Sequence, residues 1–293
     1  MNFSATEAAF EGFRVVRRKP LTVVFWALAY VAMMGIIFAL AGGSIASLIA
    51  EMQTQQSSGS PDPEAIMAMW GGLLPMFGLI LPVGLLFGAV MNAAVVRSVI
   101  RPEQSAFGYL RLGMDEVRVL MVTVVLAILY FVFMFAMMFA VGVLAGFTGA
   151  AGIPALWILV VLAGICAVVL GLWLAVRFSL AVPITVAEGR IAILESFTMT
   201  RKHAWPLFGM AIIAWIMSMV VALLGGLVAL PARMILEANG DLASMAGQST
   251  LEIIQAAWPL VVGWIVIQSV LSALQLAVVY APYSAAYRDL KAD

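Results

Sequence analysis

Residues 119–176 read VLMVTVVLAILYFVFMFAMMFAVGVLAGFTGAAGIPALWILVVLAGICAVVLGLWLAV, fifty-eight consecutive positions without a charged side chain. One helix crosses the hydrocarbon of a bilayer with about 20 residues. The run therefore holds two crossings. Their joint is legible, because Gly146, Gly149, Gly152 and Pro154 cluster between two Leu-, Val- and Phe-rich stretches, as a turn requires. Backbone polar groups inside lipid must be satisfied within the segment, which makes each crossing an α-helix.

Outward from this block the pattern repeats. Leu21–Ala50, Ala65–Val96, Ala204–Ala232 and Ile253–Tyr287 are also uncharged. The spacing predicts six transmembrane helices, roughly 22–48, 70–96, 119–146, 155–177, 206–230 and 258–284. The fold class expected is an all-α polytopic integral membrane protein. It forms a single membrane domain over 1–293, with an amphipathic segment at 1–20 and a tail at 285–293. Composition agrees: 65% of residues are hydrophobic and 10% charged, against roughly 45–50% and about 25% in a soluble domain.

The charges set an orientation. Arg14, Arg17, Arg18 and Lys19 precede the first span. Arg97, Arg101, Arg111 and Arg118 lie on the second connection, and Arg177, Arg190, Arg201 and Lys202 on the fourth. Arg288 and Lys291 follow the last span, so fourteen of the fifteen basic residues fall on one side, and only Arg233 on the other. The positive-inside rule makes the first side cytoplasmic, with both termini there. Glu51, Asp62, Glu64, Glu237, Asp241 and Glu252 occupy the opposite loops. The run after Lys19 is too long for a cleaved signal peptide and reads as a retained anchor. Arg17-Arg18 therefore reads as an orientation signal rather than as a twin-arginine export signal.

The basic segments share a plan. Ala9-Phe10, Ala106-Phe107 and Ser196-Phe197 are each followed four residues after the phenylalanine by Arg14, Arg111 and Arg201. Ala89-Val90, Ala175-Val176 and Ala277-Val278 recur near the ends of the even-numbered spans. This suggests three units, each an interfacial amphipathic helix plus a helical hairpin. In the first, Ser4 and Glu7 form a capping box, with Phe3, Phe10 and Phe13 on one stripe. In the second, Phe107, Leu110, Met114 and Val117 oppose Arg111, Asp115 and Arg118. In the third, Ile193, Leu194 and Phe197 oppose Glu195 and Lys202. Such helices lie in the headgroup region with their aromatics down.

Few residues suggest chemistry. The interiors of the six spans carry no ionisable side chain of the kind that marks proton- or ion-coupled carriers. Asn92 lies late in the second span, and Gln268, Ser272 and Gln275 share one face of the sixth. They form a candidate polar ligand face or a set of interhelical hydrogen bonds. Gly84, Gly88, Gly142 and Gly146 are candidate helix-packing positions. Pro75 and Pro82 are candidate kinks, and Pro183 is expected to end or bend the fourth span at the interface. His203, the only histidine, has no acid and nucleophile in sequence to make it catalytic, and reads as an interface anchor. Cys166 reads as a small packing residue. No phosphate-binding loop, hydrolase elbow or metal-ligand spacing is present, so no catalytic residue, metal or cofactor is expected. Net charge is zero, and no basic surface calls for nucleic acid.

Arg177–Leu207, RFSLAVPITVAEGRIAILESFTMTRKHAWPL, resembles a motif in the membrane domain of glycerophosphoryl diester phosphodiesterases and its free-standing bacterial relatives. Arg177, Pro183, Glu188, Ser196, Thr200, Arg201 and Trp205 carry the match. The tail Tyr280–Leu290, with Tyr283 and Tyr287, is similar to that group as well. The resemblance implies a membrane partner domain in a bacterial cytoplasmic (inner) membrane, without the separate catalytic domain of the fused relatives. Arg111, Arg177, Glu188, Arg201, Lys202, His203 and Trp205 are the candidate interfacial or headgroup contacts. The function expected is a non-catalytic module that binds membrane lipids or a membrane-protein partner, with a role in envelope organisation. The alternative is a transporter, channel or permease subunit using the polar face of the sixth span. A homo-oligomer is compatible with either.

Overall fold

A computed structural model describes residues 4–58, 63–103, 105–239 and 250–292. These residues are helical almost throughout, with no strand among them. Two short helices, α1 (Ala5–Ala9) and α2 (Glu11–Arg18), lead into α3 (Pro20–Ser58). Then come α4 (Pro63–Ile100), α5 (Met114–Ala151), α6 (Trp157–Phe178), α7 (Ala181–Glu188), α8 (Ile193–Met199), α9 (Ala204–Asn239) and α10 (Thr250–Ala292). Helices α3, α4, α5, α6, α9 and α10 are long and apolar enough to cross a membrane. The chain is an all-α polytopic membrane protein. Five of these helices outrun their predicted spans: α5 has 38 residues, about 57 Å at 1.5 Å per residue, against a hydrocarbon thickness of about 30 Å.

Local chemistry accounts for the boundaries. Pro20 and Pro63 are first helical residues of α3 and α4, where a missing N–H costs nothing. Gly152, at φ 65°, ends α5 in the left-handed conformation, and Pro154 opens a short 3-10 turn before α6. A turn does separate the two helices, but of the four predicted joint residues only Gly152 and Pro154 lie in it, because α5 continues through Gly146 and Gly149 to Ala151. The chain breaks at Ser179–Leu180, so Pro183 sits in the first turn of the new helix α7 rather than ending α6. A proline is tolerated there because early helical N–H groups have no partner. Pro75 and Pro82 lie within α4, which is assigned as one helix throughout.

The helices alternate in direction, and α10 stands at the centre. It packs against α1, α2, α3, α4, α7 and α9, while α5 pairs with α4 and α6. The core lies toward one end of the bundle. Ala94, Val95, Ala277, Ala281, Leu180, Trp26 and Tyr109 are all buried there. The shafts beyond it present Phe131, Met138, Phe139, Ile158, Leu223 and Leu227 outward, as lipid-facing surfaces do. At the core end the four basic segments meet. Arg288 approaches Glu11 at 4.0 Å, Lys291 approaches Glu188 at 3.4 Å, and Lys19 donates to the Ser98 carbonyl at 3.0 Å.

The interfacial segments are less alike than the shared motif suggests. The first is two helices broken at Phe10, with Ser4 Oγ accepting from Glu7 N at 3.4 Å. Phe10 and Phe13 face outward and Phe3 lies outside the described residues. The third is α8 followed by a 3-10 turn, Thr200–Lys202, and Gly189 makes the predicted turn at φ 66°. The second corrects the expectation. Phe107, Gly108 and Tyr109 take positive φ values of 50°, 67° and 66°, and α5 starts only at Met114. Left-handed backbone at two non-glycine residues breaks an amphipathic helix, and tertiary hydrogen bonds hold it there.

Small-residue contacts also fall elsewhere than predicted. A Cβ at Gly84, Gly88, Gly142 or Gly146 would meet nothing within 4 Å, so among the described residues no other helix lies close against these glycines. Gly12 does so instead. A Cβ there would lie 2.5 Å from Ala277 O and 2.5 Å from Val278 Cα, so α2 rests on the backbone of α10. Cys166 is exposed on α6 rather than packed in the core.

Candidate functional site

The left-handed turn is fastened from three directions. Trp26 Nε1 donates to Gly108 O at 2.8 Å. Arg97 donates to Tyr109 O at 2.9 Å. Tyr109 OH donates to Pro102 O at 2.9 Å and lies 2.5 Å from Lys19 Nζ. Arg97 is also ion-paired with Glu116, and both side chains are 3% exposed. Glu116 accepts from Gly113 N at 2.9 Å. Asp115 lies 3.5 Å from Arg101 and 3.1 Å from Arg118, and Arg101 donates to Val186 O at 3.0 Å. A cation at a span end is expected to snorkel to the surface, but Arg97 is buried instead. A buried charge is tolerated when its partner and hydrogen bonds are complete, and here they are. This cluster is a structural lock.

Arg177 is different. It is 9% exposed, at the last turn of α6. Its carbonyl accepts from Ser196 Oγ at 2.8 Å and Thr200 Oγ1 at 3.2 Å, and Ser196 Oγ also accepts from Leu180 N at 3.2 Å. These two hydroxyls serve the helix-end backbone groups that lack intrahelical partners, which gives Ser196 and Thr200 of the motif a physical role. The Arg177 guanidinium stacks on Trp173 at 5.1 Å and Phe197 at 4.7 Å. One nitrogen donates to Phe197 O at 3.4 Å. Its Nε has no hydrogen-bond partner, and among the described residues no carboxylate lies within 4.0 Å of it. Each stacked ring supplies about 0.5–2 kcal/mol and the helix C-terminus about 0.3–1 kcal/mol. Desolvating the cation costs several kcal/mol, and no carboxylate among the described residues offsets it.

Beside Arg177 an apolar groove of about 470 Å³ runs between α6 and α9, walled by Val169, Leu172, Trp173, Val176, Ala204, Trp205 and Phe208. Trp205 is 83% exposed on its rim. Arg201 and Lys202 are exposed on the turn leading to that rim, and His203 is half-buried. A second groove of about 620 Å³ lies between α3 and α4 and ends at Leu110, Arg111 and Leu112. A third cavity, about 350 Å³, is lined by Asn92, Thr123, Tyr130, Phe178 and Tyr280 among others. Asn92 Oδ1 has no partner. Gln268, Ser272 and Gln275 are half-buried on α10 and border none of these three spaces. The predicted polar set is therefore divided.

Glu188 accepts from Arg190 at 2.7 Å and is 3.4 Å from both Tyr287 OH and Lys291 Nζ, tying the third basic segment to the end of α10. The Glu195 and Glu188 carboxylates hold the Arg190 guanidinium above its ordinary pKa. Among the described residues no group of three or more His, Cys, Asp or Glu side chains could hold a metal. Sequence reasoning missed Gly12, Trp26, Tyr109 and the Arg97–Glu116 pair. Their partners lie far off in sequence or on other elements, and no local period marks them. No family model, curated protein or solved structure matches the chain.

Proposed function

We infer that this chain is a non-catalytic membrane module that binds lipid, seated in a bacterial inner membrane with both ends cytoplasmic. The carrying observation is the pair of open apolar grooves, α6–α9 and α3–α4, each meeting a basic interfacial segment near the core end. A groove that is apolar along the shafts, with cations and indoles at one end, matches the polarity profile of a lipid across half a bilayer. The resemblance of Arg177–Leu207 to the membrane domain of glycerophosphoryl diester phosphodiesterases supports a partner domain rather than the enzyme. A role in envelope organisation follows from that reading.

Native mass spectrometry of detergent-purified protein tests it. Phospholipid retained through delipidating washes is the expected result. Reconstituted liposomes should show no saturable solute flux. Flux that is lost in Gln268→Leu or Gln275→Leu would establish a carrier or channel instead. Lipid turnover lost on substitution of His203 or Glu188 would establish an enzyme.

A further inference from the structure

We propose that Arg177 receives the phosphate of a single membrane phospholipid whose acyl chains lie in the α6–α9 groove. This rests on the lipid-binding reading above and assigns its headgroup contact. Val169, Trp173 and Arg177 follow one another at four-residue intervals, as do Leu172 and Val176. Arg177 therefore borders the groove at the end where the basic segments gather, next to the wall residue Val176 and one turn on from the wall residue Trp173. The cation is nine-tenths buried, stacked on the groove-wall residue Trp173, and has an Nε without a partner. Guanidinium nitrogens bind phosphate oxygens in a planar fork, and Arg serves where such recognition is partly buried. The exposed Arg201 and Lys202, on the turn that leads to Ala204 and Trp205, add positive potential on the opposite wall. A free phosphate has no use for seven apolar wall residues, and a diacylglycerol leaves the guanidinium without its anion.

The test uses delipidated full-length protein in detergent. Phosphatidylglycerol, diacylglycerol of the same chains and inorganic phosphate are added back and read by native mass spectrometry. Phosphatidylglycerol should bind at least tenfold more tightly than diacylglycerol, with no binding of inorganic phosphate at millimolar concentration. Arg177→Gln should reduce phosphatidylglycerol binding to the diacylglycerol level, and Arg177→Lys should retain part of it. Ala204→Phe, which fills the groove and leaves Arg177 in place, should remove that lipid whatever its headgroup. If Arg177→Gln fails to fold, the wild-type headgroup comparison and Ala204→Phe still decide. Equal binding of diacylglycerol and phosphatidylglycerol overturns the assignment, as does unchanged binding in folded Arg177→Gln or Ala204→Phe. Inorganic phosphate binding at micromolar concentration overturns it in favour of a free-anion site. Wild-type protein that retains and rebinds no lipid at all overturns the broader reading as well, so the two failures are distinguishable.

Discussion

Replacing Gly12 by alanine adds one methyl group where two backbones touch. The new Cβ would begin 2.5 Å from Ala277 O and Val278 Cα and 2.8 Å from Ala277 C. Carbon atoms pack best at about 3.5–4.0 Å, so α2 must lift by roughly 1 Å or more. Neither neighbour is a side chain that can rotate away. Overpacking of this kind costs about 1–3 kcal/mol, and alanine recovers at most about 1 kcal/mol of helix propensity. Gly12 is the second residue of α2, so that recovery is small. The net expectation is a loss of about 1–2 kcal/mol. Lifting α2 also lengthens the Glu11–Arg288 approach, now 4.0 Å. Thermal unfolding in a mild detergent, followed by tryptophan fluorescence, reads the effect. Gly84→Ala and Gly142→Ala are matched controls, because a Cβ at either position meets nothing within 4 Å. Both should melt at or above the wild type. A Gly12→Ala protein that melts as they do would refute the claim that α2 lies backbone-to-backbone on α10.

Glu116→Ala removes the carboxylate bonded to the buried Arg97 cation, leaving Asp115 at 3.9 Å, and should cost about 3 kcal/mol, measured by unfolding in mixed micelles. Arg97→Met with Glu116→Leu should recover most of that loss. Gly108→Ala places a Cβ 2.7 Å from that of Phe25 at φ 67°, and should lower stability by about 1–3 kcal/mol. Trp26→Phe removes the bond to the Gly108 carbonyl and should cost about 1 kcal/mol in the same assay. A fluorescent protein fused to the C-terminus should glow in whole cells, while alkaline phosphatase fused there should stay inactive. The reverse pattern would overturn the orientation drawn from the basic residues.

The spans were legible in the sequence because hydrocarbon imposes a simple demand: long runs without charge, ended by glycine, proline or cations. That logic located all six helices and a break between the third and fourth, though the break begins only at Gly152 and not at Gly146. It missed wherever geometry depends on distant partners. Phe107–Tyr109 carries an amphipathic pattern, yet Trp26, Arg97 and Lys19 pull its carbonyls and hydroxyl into a left-handed turn. Arg97 looks like a snorkelling end residue until folding brings Glu116 against it. Arg177 follows the same surface pattern and is also buried, but its surroundings are aromatic. The polar stripe of α10 was visible as a stripe, but which neighbour it faces is set by helix rotation, which periodicity does not encode. Of that predicted polar set, Asn92 lines one of the three spaces described above, and the α10 residues line none of them.

The central place of α10 has a consequence for biogenesis. The ribosome delivers α3, α4, α5, α6 and α9 before the helix that most of the bundle leans on. Until Thr250 onward emerges, the core that Trp26, Ala94 and Val95 share with Ala273, Ala277 and Ala281 is incomplete. Surrounding lipid or an insertase must shelter them meanwhile. A nascent chain arrested before that point would be a set of inserted but unassembled rods, exposed to quality-control proteolysis.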